Sequence, residues 1–197
     1  GEHAFGATPD DATPFGAVVG VVPTHSSAVQ DTYEELRRLH RGVVPMVDGD
    51  GEGQKKLAGL LKSTPAPKTV LTWRDGWEIE DAVMWILRVD EAAVLQPLND
   101  RLNWNVTSID DVLAKFKTKD GPGRAKTDYL AYEEIASVIR DNAACRARGR
   151  LLLNAITRAA LGTHEGCAGL VKDEAKSTAS RSSRSRAIPS SCRPRHA

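Results

Sequence analysis

The sequence predicts an α/β fold in which a parallel sheet is flanked by helices and followed by a helical C-terminal region. Three short apolar runs of high β-propensity lie at residues 17–22, 43–47 and 69–73, and each is followed by polar turn residues and an amphipathic stretch. Strand, helix and strand in this order form a right-handed β-α-β unit. A chain of 197 residues is long enough for one such core and a small appendage.

Charge, cysteine content and hydropathy limit the kinds of protein that this sequence can be. The net charge of +1 hides an asymmetry, because most acids precede residue 135 whereas the end of the chain is basic. The three cysteines, Cys145, Cys167 and Cys192, are widely spaced and contain no Cys-x-x-Cys pair, so neither a zinc site nor a disulfide framework is indicated. No apolar run of about 18 residues and no export signal is present. We therefore expect a cytoplasmic protein without a membrane span.

Four segments follow from the pattern along the chain. Residues 1–16 are rich in Gly, Pro, Asp and Thr and are predicted to form a loop. Residues 17–90 hold the three strands, with helices predicted at 28–39, 52–62 and 77–87. Residues 91–171 are predicted to form a helical insertion, interrupted at Pro97, Asn103 and Asn105, and then two helices at 128–140 and 145–161. Residues 172–197 are a Ser/Arg-rich segment that should be a disordered basic tail.

Polar residues follow each predicted strand and should lie along one edge of the sheet. These are residues 24–27, 48–53 and 74–80, at the edge where open α/β sheets bind ligands. Asp48 and Asp50 stand directly after the second strand, and glycines at 49, 51 and 53 let the chain turn so that both carboxylates converge. Carboxylate oxygens suit hard cations such as Mg²⁺. A magnesium site is therefore predicted at this edge.

Three other interpretations of residues 48–53 can be compared with the metal site. An EF-hand loop starting at Asp48 would need a bidentate Glu at its twelfth position, where Gly59 stands. A haloacid-dehalogenase phosphatase also begins with Asp-x-Asp after a strand, but it has Thr or a similar residue where Glu52 stands here. A glycine-rich turn with solvated acids stays open as the structural alternative.

The string from Val47 to Gly53, in its strand-turn-helix context, resembles the Asp-x-Asp motif of Toprim domains. It is most similar to the nuclease part of the OLD family (overcoming lysogenization defect) of ATP-dependent endonucleases. The resemblance covers about residues 17–90, and its OLD-type extension reaches Lys126. It implies a Toprim/Rossmann-like core at residues 17–90 and a metal-dependent cleavage of DNA.

The same resemblance implies roles for individual residues. Asp48, Asp50 and Glu80 would hold Mg²⁺ or Mn²⁺, with Glu78 and Asp81 as the next choices after Glu80. Lys126 would act on the phosphate during catalysis, and Lys119 and Arg124 are the next candidates for this role.

Toprim domains also open with a strand that ends in a catalytic Glu-Gly pair. Here Gly1-Glu2 follows no strand. Either that glutamate lies before Gly1, or Glu2 is a displaced catalytic acid of the same turn.

The function expected from this resemblance is that of an endonuclease or nickase, with a role in phage defence. DNA would be the substrate, and an ATPase domain or subunit would be a partner, since no phosphate-binding Gly-x-x-x-x-Gly-Lys-Ser/Thr loop occurs in this chain. A homo-oligomer or a larger assembly is expected. The alternative is a non-catalytic Toprim-like domain that binds a partner or a nucleotide.

Overall fold

The computed structural model describes residues 19–24, 28–118 and 125–162, together with the backbone of residues 172 and 173. Within these ranges most residues belong to α-helices, which are α1 (Val29–Leu39), α2 (Gly51–Leu60), α3 (Ile79–Leu87), α4 (Glu91–Leu102), α5 (Ile109–Lys117), α6 (Tyr129–Asp141) and α7 (Ala143–Ala160). The strands described are short: β1 (Met46–Val47), β2 (Leu71–Thr72) and β3 (Lys172–Asp173). The described part of the chain is thus a largely helical α/β arrangement.

The three strands form one sheet in the order β1-β2-β3. β1 and β2 are parallel, with Met46 opposite Leu71 and Val47 opposite Thr72, whereas β3 is antiparallel to β2. Helix α2 connects β1 to β2, so the predicted β-α-β order is confirmed for this pair of strands.

The predicted first strand, at residues 17–22, is wrong over the part that the structure describes. Residues 19–24 have no regular secondary structure, and Val21 and Val22 expose 71% and 56% of their surface. An apolar β-branched run becomes a strand only where it finds a neighbouring strand and a face to pack against. The described sheet gives residues 19–22 neither.

Alternating strand residues place helices on both faces of the sheet. Val47 and Val70 belong to a small buried cluster with side chains of α1 and α2. Leu71 and Trp73 belong to a larger cluster with side chains of α3 to α7. Because successive strand residues point to opposite faces, the sheet separates these two helical layers. The helices after residue 90 therefore share one core with α3.

The first part of the predicted helical insertion forms two helices, α4 and α5. Pro97 lies inside α4 and does not end it, while Asn103 ends the helix in a left-handed conformation with φ 50°. The sequence from Ser108 to Asp111 predicts a helix start by its capping pattern, and α5 begins there. The Ser108 hydroxyl accepts a hydrogen bond from the Asp111 N–H at 3.1 Å, and the Asp111 carboxylate accepts one from the Ser108 N–H at 3.0 Å.

Two predicted segments lie largely outside the described residues. They are the N-terminal loop at 1–16 and the basic tail at 172–197, of which only the backbone of β3 is described. No helix in the described ranges combines the length and the apolar character needed to cross a membrane.

Candidate functional site

The loop after β1 meets the loop after β2 at Gly49. The Gly49 N–H donates a hydrogen bond to the Trp77 carbonyl at 2.7 Å, and the Gly76 N–H donates one to the Gly49 carbonyl at 2.8 Å. A Cβ atom at position 49 would lie 1.8 Å from the carbonyl oxygen of Arg74. Glycine is needed here because the two backbones are too close for any side chain. Residues 48–53 and 74–80 therefore share one edge, as the sequence predicts.

Asp50 joins this turn to helix α2. Its Oδ1 accepts a hydrogen bond from the Gly53 N–H at 2.7 Å, which satisfies one of the free donors at the start of the helix. Gly53 packs against the same turn, since a Cβ there would lie 1.9 Å from the Asp48 carbonyl oxygen. The Asp50 carboxylate consequently has a structural contact in addition to its position at the site.

The acids at the start of α3 point in different directions. Glu80 is buried, with 5% of its surface exposed. Asp81 accepts a hydrogen bond from the Glu78 N–H at 2.9 Å and forms an ion pair with Lys117 at 3.0 Å, so it caps α3 and ties it to α5. Only Glu78 and Glu80 of the three acids are left to face the neighbouring loop that carries Lys126.

Lys126 contacts both of these glutamates. Its Nζ lies 3.1 Å from Oε2 of Glu78 and 3.3 Å from Oε1 of Glu80. Its backbone is fixed separately, because its carbonyl accepts a hydrogen bond from the Tyr132 hydroxyl at 3.2 Å and the adjacent Ala125 N–H donates to the Lys115 carbonyl at 3.1 Å. The structure thus brings Lys126 to Glu80, across a long stretch of sequence.

The charges at this edge act on one another. Burial raises the pKa of Asp48 above its usual value, and the negative charges of Asp50, Glu78 and Glu80 raise it further, against an opposing effect of Lys56. Burial alone would lower the pKa of Lys126, but its hydrogen bonds and ion pairs with Glu78 and Glu80 raise it overall. The edge therefore has an excess of negative charge, which Lys126 partly neutralises.

The donor chemistry at this edge fits a hard cation, but the present side-chain positions do not form a coordination set. Carboxylate oxygens are the ligands that Mg²⁺ prefers. Across the described residues, no group of three or more His, Cys, Asp or Glu side chains is arranged to hold a metal ion. Asp50 is bonded to the start of α2, and Glu78 and Glu80 are bonded to the ammonium of Lys126. Metal binding would require these carboxylates to exchange partners.

Four of the predicted site residues lie at one edge of the sheet. Asp48, Asp50, Glu80 and Lys126 lie at the same edge of the sheet, where hydrogen bonds, ion pairs and mutual charge effects connect them to the loop after β2. Glu2 lies outside the described residues, as do Lys119, Arg124 and most of the predicted edge segment 24–27.

Glu78 contacts the site lysine directly, although the sequence analysis names it only as the next choice after Glu80. It precedes α3 and bonds to Lys126, whereas Asp81, the other second choice, faces Lys117. The side chains of Glu78 and Asp81 both take part in the capping box at the start of α3, so the capping pattern in the sequence does not distinguish them.

Comparison with known proteins adds no relative. No protein-family model matches the sequence, and no curated protein and no solved structure matches it. The function of this chain therefore has to be inferred from its own residues.

Proposed function

We propose that this chain is a metal-dependent DNA endonuclease or nickase of the Toprim type, similar to the nuclease part of the OLD family. The observation that carries the proposal is the backbone contact that joins the turn of Asp48 and Asp50 to the loop before α3, where Lys126 is paired with Glu78 and Glu80. Such an excess of carboxylates at a strand-end edge is the chemistry of a hard-cation site.

The residues would divide the work of phosphodiester hydrolysis. Asp48 and Glu80, with Asp50, would hold Mg²⁺ or Mn²⁺. A bound divalent cation supplies charge neutralisation at the phosphate and lowers the pKa of water, so that a nucleophile exists at neutral pH.

Hydrolysis adds water across one P–O bond, and negative charge builds on the phosphate oxygens and on the leaving oxygen. Lys126 would be the cation that stabilises that charge. Glu2 stays a candidate general acid or base from the sequence alone.

The biological setting follows from the same resemblance. A DNA substrate, an ATPase domain or subunit, assembly into oligomers, a cytoplasmic location and a role in phage defence all belong to the proposal.

Cleavage of supercoiled plasmid tests the proposal. In the presence of Mg²⁺ or Mn²⁺ the protein should convert the supercoiled plasmid to the relaxed form. Addition of EDTA should stop this cleavage. Asp48→Asn should slow the reaction by at least about 10²-fold, the order expected when one preorganised electrostatic contact is lost. Asp100→Asn is the matched control, because Asp100 is an exposed aspartate on α4. Equal rates for Asp48→Asn and wild type, or cleavage that EDTA does not affect, would contradict the proposal.

The same variants test the rival function, a non-catalytic domain that binds a partner or a nucleotide. The lack of a ready coordination group in the described residues favours this rival. If neither Mg²⁺ nor Mn²⁺ raises the melting temperature and no cleavage occurs, the binding domain is the better description.

A further inference from the structure

Helix α7 carries arginines and no acidic residue. The arginines are Arg146, Arg148, Arg150 and Arg158. Each of the other α-helices in the described ranges contains at least one aspartate or glutamate. The side chains of α7 therefore contribute positive charge only, which sets this helix apart from its neighbours.

One side of α7 is buried and the opposite side is exposed. The buried positions are Cys145, Gly149, Leu152, Ala155 and Ala159. The exposed positions are Ala143, Ala147, Leu151, Asn154 and Arg158. Because successive residues differ by about 100° in direction, Arg146 and Arg150 border this exposed side. From Arg146 to Arg158 the helix covers about 18 Å at a rise of about 1.5 Å per residue.

The arginines of α7 differ in what they contact. The Arg148 guanidinium lies 4.9 Å from the centre of the Trp85 ring and donates a hydrogen bond to the Trp85 carbonyl at 3.0 Å, so it attaches α7 to α3. Arg146 donates a hydrogen bond to the Arg140 carbonyl. A carbonyl oxygen carries only a partial charge, so this bond leaves the positive charge of Arg146 at the surface.

We propose that the exposed side of α7, with Arg146, Arg150 and Arg158, binds the phosphodiester backbone of duplex DNA. Guanidinium groups donate two parallel hydrogen bonds to phosphate oxygens and keep their charge at all physiological pH values. The choice of DNA as the polyanion rests on the proposed function. The surface itself shares no residue with the acidic edge beyond β1 and β2.

Two other partners fit this surface less well. Within α7 the exposed side has one large apolar side chain, Leu151, whereas protein interfaces depend on clusters of buried aromatic and apolar anchors. A helix that lies on a membrane inserts its apolar face, but the apolar side of α7 is buried in the larger core. A phosphate backbone requires only positive charge along its length, which α7 supplies.

The direction of α7 relates this surface to the acidic edge. The Cys145 Sγ lies 4.0 Å from the Leu87 carbonyl oxygen, and Arg148, farther along α7, contacts the carbonyl of Trp85, earlier on α3. The two helices are therefore antiparallel, and α7 continues from this contact toward the start of α3. DNA bound along α7 would extend toward the end of α3 at which Glu78 and Glu80 lie.

Fluorescence anisotropy of a labelled DNA duplex, recorded with EDTA at several salt concentrations, tests the proposal without measuring cleavage. Replacing Arg146, Arg150 and Arg158 together by glutamine should lower the affinity by roughly tenfold or more. The slope of log affinity against log salt should decrease by about 3, since each phosphate contact contributes about 0.9. Replacing the same three arginines by lysine retains the charges and should leave the slope unchanged.

The matched control removes the same amount of charge elsewhere. Arg41, Lys62 and Lys68 are exposed; Arg41 and Lys62 follow α1 and α2, and Lys68 precedes β2. Their replacement together by glutamine should leave the affinity and the salt slope as in wild type. All variants keep residues 163–197, so the basic end of the chain contributes equally to each measurement.

A smaller variant keeps the test valid if the triple variant fails to fold. Arg158→Gln changes one exposed position and should decrease the salt slope by about 1. Thermal unfolding followed by circular dichroism identifies the variants that are folded. Displacement of the duplex by poly-L-glutamate as effectively as by unlabelled duplex would assign the surface to acidic proteins and overturn the choice of DNA.

The remaining outcomes separate this surface from the proposed function. A loss of affinity confined to the α7 variants supports the proposal. Equal losses in the α7 variant and in the control, or absence of DNA binding by wild type in EDTA, overturn it, and metal-dependent cleavage by wild type would still support the nuclease. Binding through α7 with no cleavage in Mg²⁺ or Mn²⁺ supports the surface and contradicts the nuclease.

Discussion

Replacing Gly49 by alanine should destabilise the protein strongly, because the added carbon has no room. The Arg74 carbonyl oxygen would have to retreat from 1.8 Å to at least 3.0 Å from the new atom, a displacement of about 1.2 Å. The hydrogen bonds that join Gly49 to Trp77 and Gly76 would lengthen or break.

The expected magnitude combines these two effects. Overpacking of a tight site typically costs about 1–3 kcal/mol, and each hydrogen bond contributes about 0.5–1.5 kcal/mol. We expect a loss of about 3 kcal/mol in the free energy of unfolding. For a chain of this size that corresponds to a melting temperature lower by about 6–12 °C.

Urea denaturation followed by circular dichroism measures the effect, and Gly51→Ala is its matched control. A Cβ at position 51 would meet nothing within 4 Å, and Gly51 is the first residue of α2. Its substitution should leave stability unchanged or raise it by up to about 1 kcal/mol. If Gly49→Ala were as stable as Gly51→Ala, the two loops would not be in backbone contact, and the convergence of the acids would lose its structural basis.

Two further predictions concern the aspartates of the same turn. The folded-state pKa of Asp48 is raised, so its charge opposes folding once the pH rises above the unfolded value near 3.8. Asp48→Asn should therefore raise the melting temperature at pH 7 and have little effect at pH 3, and an equal shift at both pH values would contradict this. Asp50→Ala should cost about 1 kcal/mol of stability in urea denaturation because the cap of α2 is lost, whereas Asp50→Asn should cost less because the amide oxygen can still accept the Gly53 N–H. Equal losses of stability in the two variants would show that the hydrogen bond from the Gly53 N–H is not the source of the loss.

The helices and the position of the site turn could be predicted from local signals. Helix α5 begins at Ile109 because the capping chemistry is encoded in the neighbouring residues Ser108 and Asp111. Asp48 and Asp50 follow a buried strand, and that position alone places them at the sheet edge. The strand predicted at residues 17–22 failed because pairing depends on distant partners, which its own apolar residues do not specify.

The contacts of Lys126 could be predicted only in part. Its approach to Glu80 was expected from the Toprim resemblance, but its bond to Glu78 depends on how the first turn of α3 is rotated. Successive helical residues differ by about 100° in direction. Residue types alone therefore cannot rank Glu78 against Asp81. The reason for glycine at position 49 also differs from the predicted one. The sequence suggests that glycine lets the chain turn, whereas in the structure any Cβ atom there would collide with the Arg74 carbonyl.

Helix α3 is one continuous helix that runs from the acidic edge into the interior of the protein. Glu80 lies in its first turn, while Met84 and Leu87 farther along are almost fully buried in the larger core. A slip of α3 by one residue would move Glu80 about 1.5 Å along the helix axis, which is enough to break a 3.3 Å contact with Lys126. Conservative exchanges of core residues far from the acids would thus alter the spacing of the charges while the protein stays folded. Selection on the edge residues would then extend to interior positions that never meet a ligand.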